Sequence, residues 1–192
     1  MLNAHKVTTR GIVLGNRAVG EGNLRTDFYT EKFGLVSALS RSGREERSQL
    51  RAHLQEGTAG LYSFVLGKNT WHVTGAFQTE NIYFSAPNTS DPTSRVIGIV
   101  RQLVHGEAGD ESFFSSLWQF FNTLPTLSEE EARDAECLVV LRILSGLGYV
   151  ADSQSMRDFV HSGYDAAVLH EARQARRSLV QTINEGIAAS GL

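Results

Sequence analysis

The run Ser40-Arg41-Ser42-Gly43-Arg44-Glu45-Glu46-Arg47-Ser48-Gln49-Leu50-Arg51 places guanidinium groups at positions 41, 44, 47 and 51. A guanidinium is a planar fork of N–H donors that matches two phosphate oxygens at once. If the segment is helical, the spacings i, i+3, i+6 and i+10 set all four roughly along one face. If it is a loop leaving a strand, Gly43 lets the backbone turn, and Ser42 and Ser48 add hydroxyls and amides. Either form suits contact with a phosphodiester backbone. Glu45 and Glu46 weigh against a simple anion clamp, because they can pair with Arg44 or Arg47; the plain alternative is a solvated charged loop. Arg10, Arg17 and Arg25, on or beside an earlier hairpin, extend the basic track. Tyr29, Tyr62 and Trp71 lie on the same strands. Rings beside a basic groove are the combination that single-strand binders use. Each ring also suits ordinary cross-strand packing; Trp71 is the strongest stacking candidate of the three.

No other residues converge on a reactive centre. His5, His53, His72, His105, His161 and His170 are scattered, with no HExxH and no second cysteine. Cys137 sits among Leu138, Val139, Val140 and Leu141 and reads as a small buried hydrophobe. Glu129-Glu130-Glu131 complements the dipole of a helix start. Gly146-Leu147-Gly148 lacks the remaining glycine of a dinucleotide loop, and there is no GxxxxGK[ST] phosphate loop. The expectation is a binding protein, not an enzyme, with no metal site and no cofactor.

The elements that position the basic track are strands. Thr9–Gly15, Leu24–Thr30, Leu35–Ser40, Leu61–Leu66 and Thr70–Thr79 read as five, separated by Val19–Asn23, Glu31–Gly34, the arginine segment and the hairpin connection Gly67-Lys68-Asn69. Trp71, Val73 and Phe77 are expected to share a face, as are Leu24, Thr26 and Phe28. Five strands with a longer excursion after the third suggest an OB-fold barrel, and spacing alone leaves an SH3-like barrel open. Ser85–Pro92 is a polar linker. Beyond it the apolar period becomes helical: Val96, Ile97, Val100 and Val104; then Phe113, Leu117, Phe120, Phe121 and Leu124. Ser128 with Glu131 forms a capping box for a helix running to about Leu144 and closed by Gly146 and Gly148. A last helix is expected from about Tyr164 to Ile187. The fold class is therefore α+β, with a five-stranded barrel over 1–85 and an all-helical domain over 86–192.

Bulk properties agree with that division. The 192 residues carry a net charge of −3, but residues 1–85 hold ten Lys and Arg against seven Asp and Glu, and residues 86–192 hold eight against fourteen. The first half is thus the side for a polyanion. No run of about 18 apolar residues is present, so no membrane span is expected. The start of the chain does not read as a signal peptide. A single cysteine fits a reducing, cytoplasmic setting.

In order along the chain, these segments resemble the RecO family of bacterial recombination mediators. Gly11-Ile12-Val13-Leu14 is similar to the family's first strand. Gly20-Glu21 with Asn23-Leu24 resembles its next turn, with asparagine where aspartate is usual. Phe28-Tyr29-Thr30-Glu31-Lys32-Phe33-Gly34-Leu35 resembles the step that follows. Ala38-Leu39-Ser40-Arg41-Ser42-Gly43-Arg44, then Ser48-Gln49-Leu50 and Leu54-Gln55, resembles its glycine–arginine run. Cys137–Tyr149 resembles its helix ending in Leu-Gly-Tyr. The resemblance implies an OB-fold followed by a helical domain, and a DNA repair protein that binds single- and double-stranded DNA and anneals complementary strands. It implies engagement of the single-stranded-DNA-binding protein and of RecR, and through them an indirect role in loading RecA. Many members carry a four-cysteine zinc module after Leu-Gly-Tyr; Val150-Ala151-Asp152-Ser153 holds no cysteine, so no zinc is expected. The helical half is shorter than in typical members. On this resemblance Arg41, Arg44, Arg47 and Arg51 contact phosphates, with Arg17 and Lys68 flanking; Trp71 is the stacking ring that the residues themselves suggest. The competing reading is a protein-interaction adaptor that keeps the barrel without substantial DNA binding.

Overall fold

Nothing in Lys6–Val19 interrupts extended backbone: it has no proline and is rich in β-branched Val, Ile and Thr. In the computed structural model, which describes residues 6–41, 43, 48–106, 110–151 and 154–191, this stretch is one strand of 14 residues, β1. Its first half pairs antiparallel with β4 (Thr58–Leu66) and its second half with β2 (Asn23–Thr30), and Gly11 and Ile12 pair with both. β2 turns into β3 (Gly34–Ser40) through Glu31-Lys32-Phe33. The Thr30 hydroxyl fastens that turn, accepting from the Phe33 amide at 3.1 Å and donating to the Gly34 carbonyl at 3.0 Å. Gly34 has φ +62°, a conformation cheap only for glycine. β5 (Trp71–Asn81) pairs with β4 and closes the barrel by a parallel contact with β3, Ala38 to Trp71 and Leu39 to His72. The closed order β1-β2-β3-β5-β4 is that of an OB-fold, which resolves the alternative that spacing left open. With the helices that follow, the fold class is α+β.

Inside the barrel Val13, Phe28, Val36, Ala38, Tyr62, Phe64 and Val73 meet Leu54, which comes from the short 3-10 helix Arg51–Leu54. The last two carbonyls of that helix are satisfied by the barrel. The Tyr62 hydroxyl donates to His53 O at 2.9 Å, and the Asn16 amide to Leu54 O at 2.9 Å.

Two expectations about strand faces change. β5 carries an extra residue at Thr74, because Ser63 pairs with Gly75 while Phe64 pairs with Val73. A bulge of this kind reverses the alternation. Trp71 and Val73 face inward, but the next inward residue is Ala76, and Phe77 is 50 % exposed. Around Ile12 on β1 and Tyr29 on β2 both faces are covered. Ile12 and its ladder partners Tyr29 and Ala59 are all buried, and the Tyr29 ring meets Phe113 and Phe114 at 4.9 and 6.3 Å between centroids.

The chain divides into two compact units, Met1–Ser85 with Val104–Phe114, and Ala86–Leu103 with Ser115–Leu192. The helices are α1 (Ser90–Leu103), α2 (Glu111–Thr123), α3 (Glu129–Gly146), α4 (Gln154–His161), α5 (Ala166–Gln174) and α6 (Arg176–Ser190). α3 is central to the second unit, packed by α1, α4, α5 and α6. Both halves of the Ser128–Glu131 capping box are formed. α3 ends as the glycines indicate: Gly148 has φ +79°, the Tyr149 amide donates to Leu144 O, and the Gly148 amide to Ser145 O, which is a Schellman cap. The expected last helix is two helices with a break at Ala175, where Arg173 and Arg176 both reach Asp134 on α3, each at 2.9 Å. Periodicity does not predict α4, which is only eight residues long. Among the described residues no helix is long and apolar enough to cross a membrane.

α3 also buries Arg142, which is 5 % exposed. It donates to Phe159 O at 2.8 Å and Gly163 O at 3.0 Å, and its guanidinium carbon stands 4.4 Å from the Tyr164 ring centroid. Replacing Arg142 by Met keeps the stem and strands both carbonyls. Urea unfolding followed by helical circular dichroism is expected to report a loss of about 3 kcal/mol, the scale of two hydrogen bonds to a buried charged donor.

Candidate nucleic-acid interface

Ladder partners in a sheet share a face, so registers define which side chains meet on the barrel's outer surface. Arg17 of β1 pairs with Arg25 of β2, and Arg25 with Leu39 of β3. Leu39 pairs with His72 of β5, His72 with Val65 of β4, and Val65 with Lys6 at the start of β1. One row therefore runs Arg17, Arg25, Leu39, His72, Val65, Lys6 around the outside. Two arginines directly opposite each other repel. Their only counter-ion among the described residues is Asp27, 3.9 Å from Arg17, in an exposed pair of small worth. Oriented this way the row lies across the strand 2–3 region that OB-folds present to oligonucleotides.

The arginine segment meets this row at its two ends. Arg41, exposed, follows β3 by one residue and lines a groove of about 330 Å³ with Leu39, Ser40, Leu50, Val65, His72, Val73 and Thr74. Arg51, also exposed, opens the 3-10 helix and lines a depression with Asn16, Leu24, Gly43 and Gln55. Among the described residues neither makes an ion pair. The two arginines do not lie along one helical face, because residues 41 and 43 are in turns and the helix covers only 51–54. Arg44 and Arg47, with Ser42, Glu45 and Glu46, lie outside the described residues.

The remaining residues separate by face. Lys68 is exposed in the β4–β5 turn, two residues beyond Leu66. Arg10 is committed elsewhere: it forms a two-pronged bond to Glu31, with Nε to Oε2 at 3.0 Å, and lies 5.5 Å from the Phe114 ring centroid. Glu31 is held below the usual carboxylate range by the Arg10 hydrogen bond. Trp71 turns inward and is half-buried, its ring 5.0 Å from Phe33 and 6.3 Å from Phe64. Tyr62 is in the core and Tyr29 is covered. Burial raises both phenols, Tyr29 to about 12. Cys137 is partly buried and its thiol is pushed up by that burial, the reverse of an activated thiolate. Lys6 and His72 escape sequence reasoning; the one available signal is that His72 neighbours Trp71 in an alternating strand and so faces the other way.

Residues 3–76 match the family model described as Recombination protein O N terminal. The barrel is thus a RecO N-terminal domain. No curated protein matches the chain. The matched span contains the whole row from Lys6 to His72, both ends of the arginine segment and Lys68. The RecO domain supports a role in DNA recombination and repair.

The glycine of the RecO-like arginine run has a steric reason. Gly43 is buried, and a Cβ there would stand 2.8 Å from Ser40 Oγ and 3.0 Å from Leu24 Cβ. Gly43 thus lies directly against Ser40 of β3 and Leu24 of β2. Gly43→Ala is expected to destabilise the barrel by about 1–3 kcal/mol through overpacking. Thermal unfolding monitored by tryptophan fluorescence in a Trp118→Phe background, where Trp71 alone reports, would detect it, and an unchanged melting temperature would contradict the close approach.

Proposed function

We propose that this protein is a member of the RecO family that binds DNA through its barrel and acts as a recombination mediator. The observation that carries the reading is the outer row, in which Arg17 and Arg25 face each other on a chain of net negative charge, with Lys6 farther along it. Arg41, Arg51 and Lys68 are exposed cations flanking it, and Arg44 and Arg47 belong to the same segment. Phosphate contacts of this kind fix the backbone without reading base sequence, so single- and double-stranded DNA are both ligands. Neutralising two strands on one basic surface favours annealing of complements. The family resemblance adds RecR and the single-stranded-DNA-binding protein as partners and RecA loading as the outcome. Trp71 supports the row from inside the barrel in this reading.

Fluorescence anisotropy with a labelled single-stranded oligonucleotide, at several salt concentrations, tests it. The Arg17→Ala/Arg25→Ala/Arg41→Ala variant should bind more weakly. Its slope of log affinity against log salt should be shallower by about two, at roughly 0.7 for each phosphate the variant no longer neutralises. Failure of the unaltered protein to bind at low salt would put the adaptor reading first.

A further inference from the structure

The groove beside Arg41 is built for more than a phosphate. The residues that line it include three aliphatics, Leu39, Leu50 and Val65, together with His72, Thr74 and Arg41; Val73 also borders it but turns its side chain into the core. No carboxylate is among the described residues that line it. A phosphate-tracking surface has no use for such an apolar floor, which water covers at a cost. Leu39, His72 and Val65 are consecutive in the outer row, so their side chains stand on three adjacent strands. At the ordinary interstrand spacing they span about 10 Å, a platform that one nucleobase covers. Imidazole rings and flat aliphatic surfaces accept the face of a base of any identity. The volume of about 330 Å³ is at the small end of sites that enclose a ligand. Arg41, the cation among the described lining residues, stands where the phosphate joined to that base would need neutralising.

We propose that this groove takes one base of a single strand out of its stack, laying it on Leu39, His72 and Val65 with Arg41 on the adjoining phosphate. The inference rests on the DNA-binding reading and assigns to the groove a preference for single strands. A duplex can offer its base only by unpairing it, at a cost of a few kcal/mol, whereas a flexible single strand gives up only stacking. The remaining row, Arg17, Arg25 and Lys6, touches phosphates and is indifferent to strandedness. Neighbouring bases stay free to pair.

The test compares three ligands by anisotropy: a single-stranded oligonucleotide, the same length as duplex, and a single strand of abasic residues. A second experiment uses a single strand bearing one 2-aminopurine, whose fluorescence changes on unstacking. The unaltered protein is expected to prefer the base-bearing single strand to both others. His72→Ala and Leu39→Ala, each at a partly exposed position, are expected to lower single-strand affinity by about 5- to 150-fold, the range for one stacked base. They should leave the salt slope and the duplex affinity unchanged and abolish the 2-aminopurine response. Arg17→Ala/Arg25→Ala should weaken all three ligands alike. If both groove variants, with unchanged thermal unfolding, bind the single strand as before, the base site is refuted while DNA binding stands. Equal binding of the abasic strand by the unaltered protein refutes it in the same way. If the unaltered protein binds none of the three, the DNA-binding reading fails and the groove assignment falls with it.

Discussion

The barrel depends on a contact of two residue pairs. Ala38 and Leu39 of β3 meet Trp71 and His72 of β5 in parallel, and among the described residues this is the only ladder joining those strands. The other ladders are antiparallel and connect strands through turns or through the two-sided β1. Without the parallel contact the sheet would have two open edges, each a row of unpaired backbone groups. With it, Val36, Ala38 and Val73 are enclosed with Phe28, Tyr62 and Phe64, and Leu54 is held among them. The same contact completes the outer row. Leu39 becomes the neighbour of His72, and Arg25 and Val65, far apart in sequence, are brought onto one surface on either side.

What each side chain does then follows from which face it occupies. Trp71 and His72 are adjacent in the chain and opposite in role: the indole joins the core against Phe33 and Phe64, while the imidazole joins the outer row. The bulge at Thr74 ends that parity three residues later, which leaves Ala76 inside and Phe77 outside. Covering acts as strongly as parity. Tyr29 faces outward from β2, yet Phe113 and Phe114 bury it, and Arg10 beside them is neutralised by Glu31. Among the described barrel cations, Arg25, Arg41 and Arg51 are claimed by neither a carboxylate nor a ring, and Arg17 only by its exposed pair with Asp27.

The helical unit is organised by two buried charges on its central helix. Asp134, 1 % exposed, draws Arg173 and Arg176 from either side of the break between α5 and α6. Arg142 holds the carbonyls of Phe159 and Gly163 and stacks on Tyr164. A buried charge is tolerated only when its partners are placed to satisfy it, so these contacts fix where α4 and α5 lie and where the chain turns between α5 and α6.

Much of this is written locally. Alternating β-branched residues and turn glycines mark five strands, because period two and positive φ are properties of single residues and their neighbours. The Ser128 capping box and the Gly148 cap are equally legible, since each is closed within a few residues. The excess of arginine in the first half is plain, and the resemblance of Gly11–Gln55 to the RecO family names the barrel. What the sequence leaves open requires contacts between distant residues. The split of the last helix at Ala175 depends on Asp134, 39 residues before Arg173. The exposure of Phe77 depends on how β5 slips against β4, and the role of Trp71 on where Phe33 and Phe64 lie. The row of Lys6, Arg17, Arg25 and His72 exists only once the sheet has closed, because periodicity gives the face of a residue within its own strand and closure alone gives its neighbours across the others.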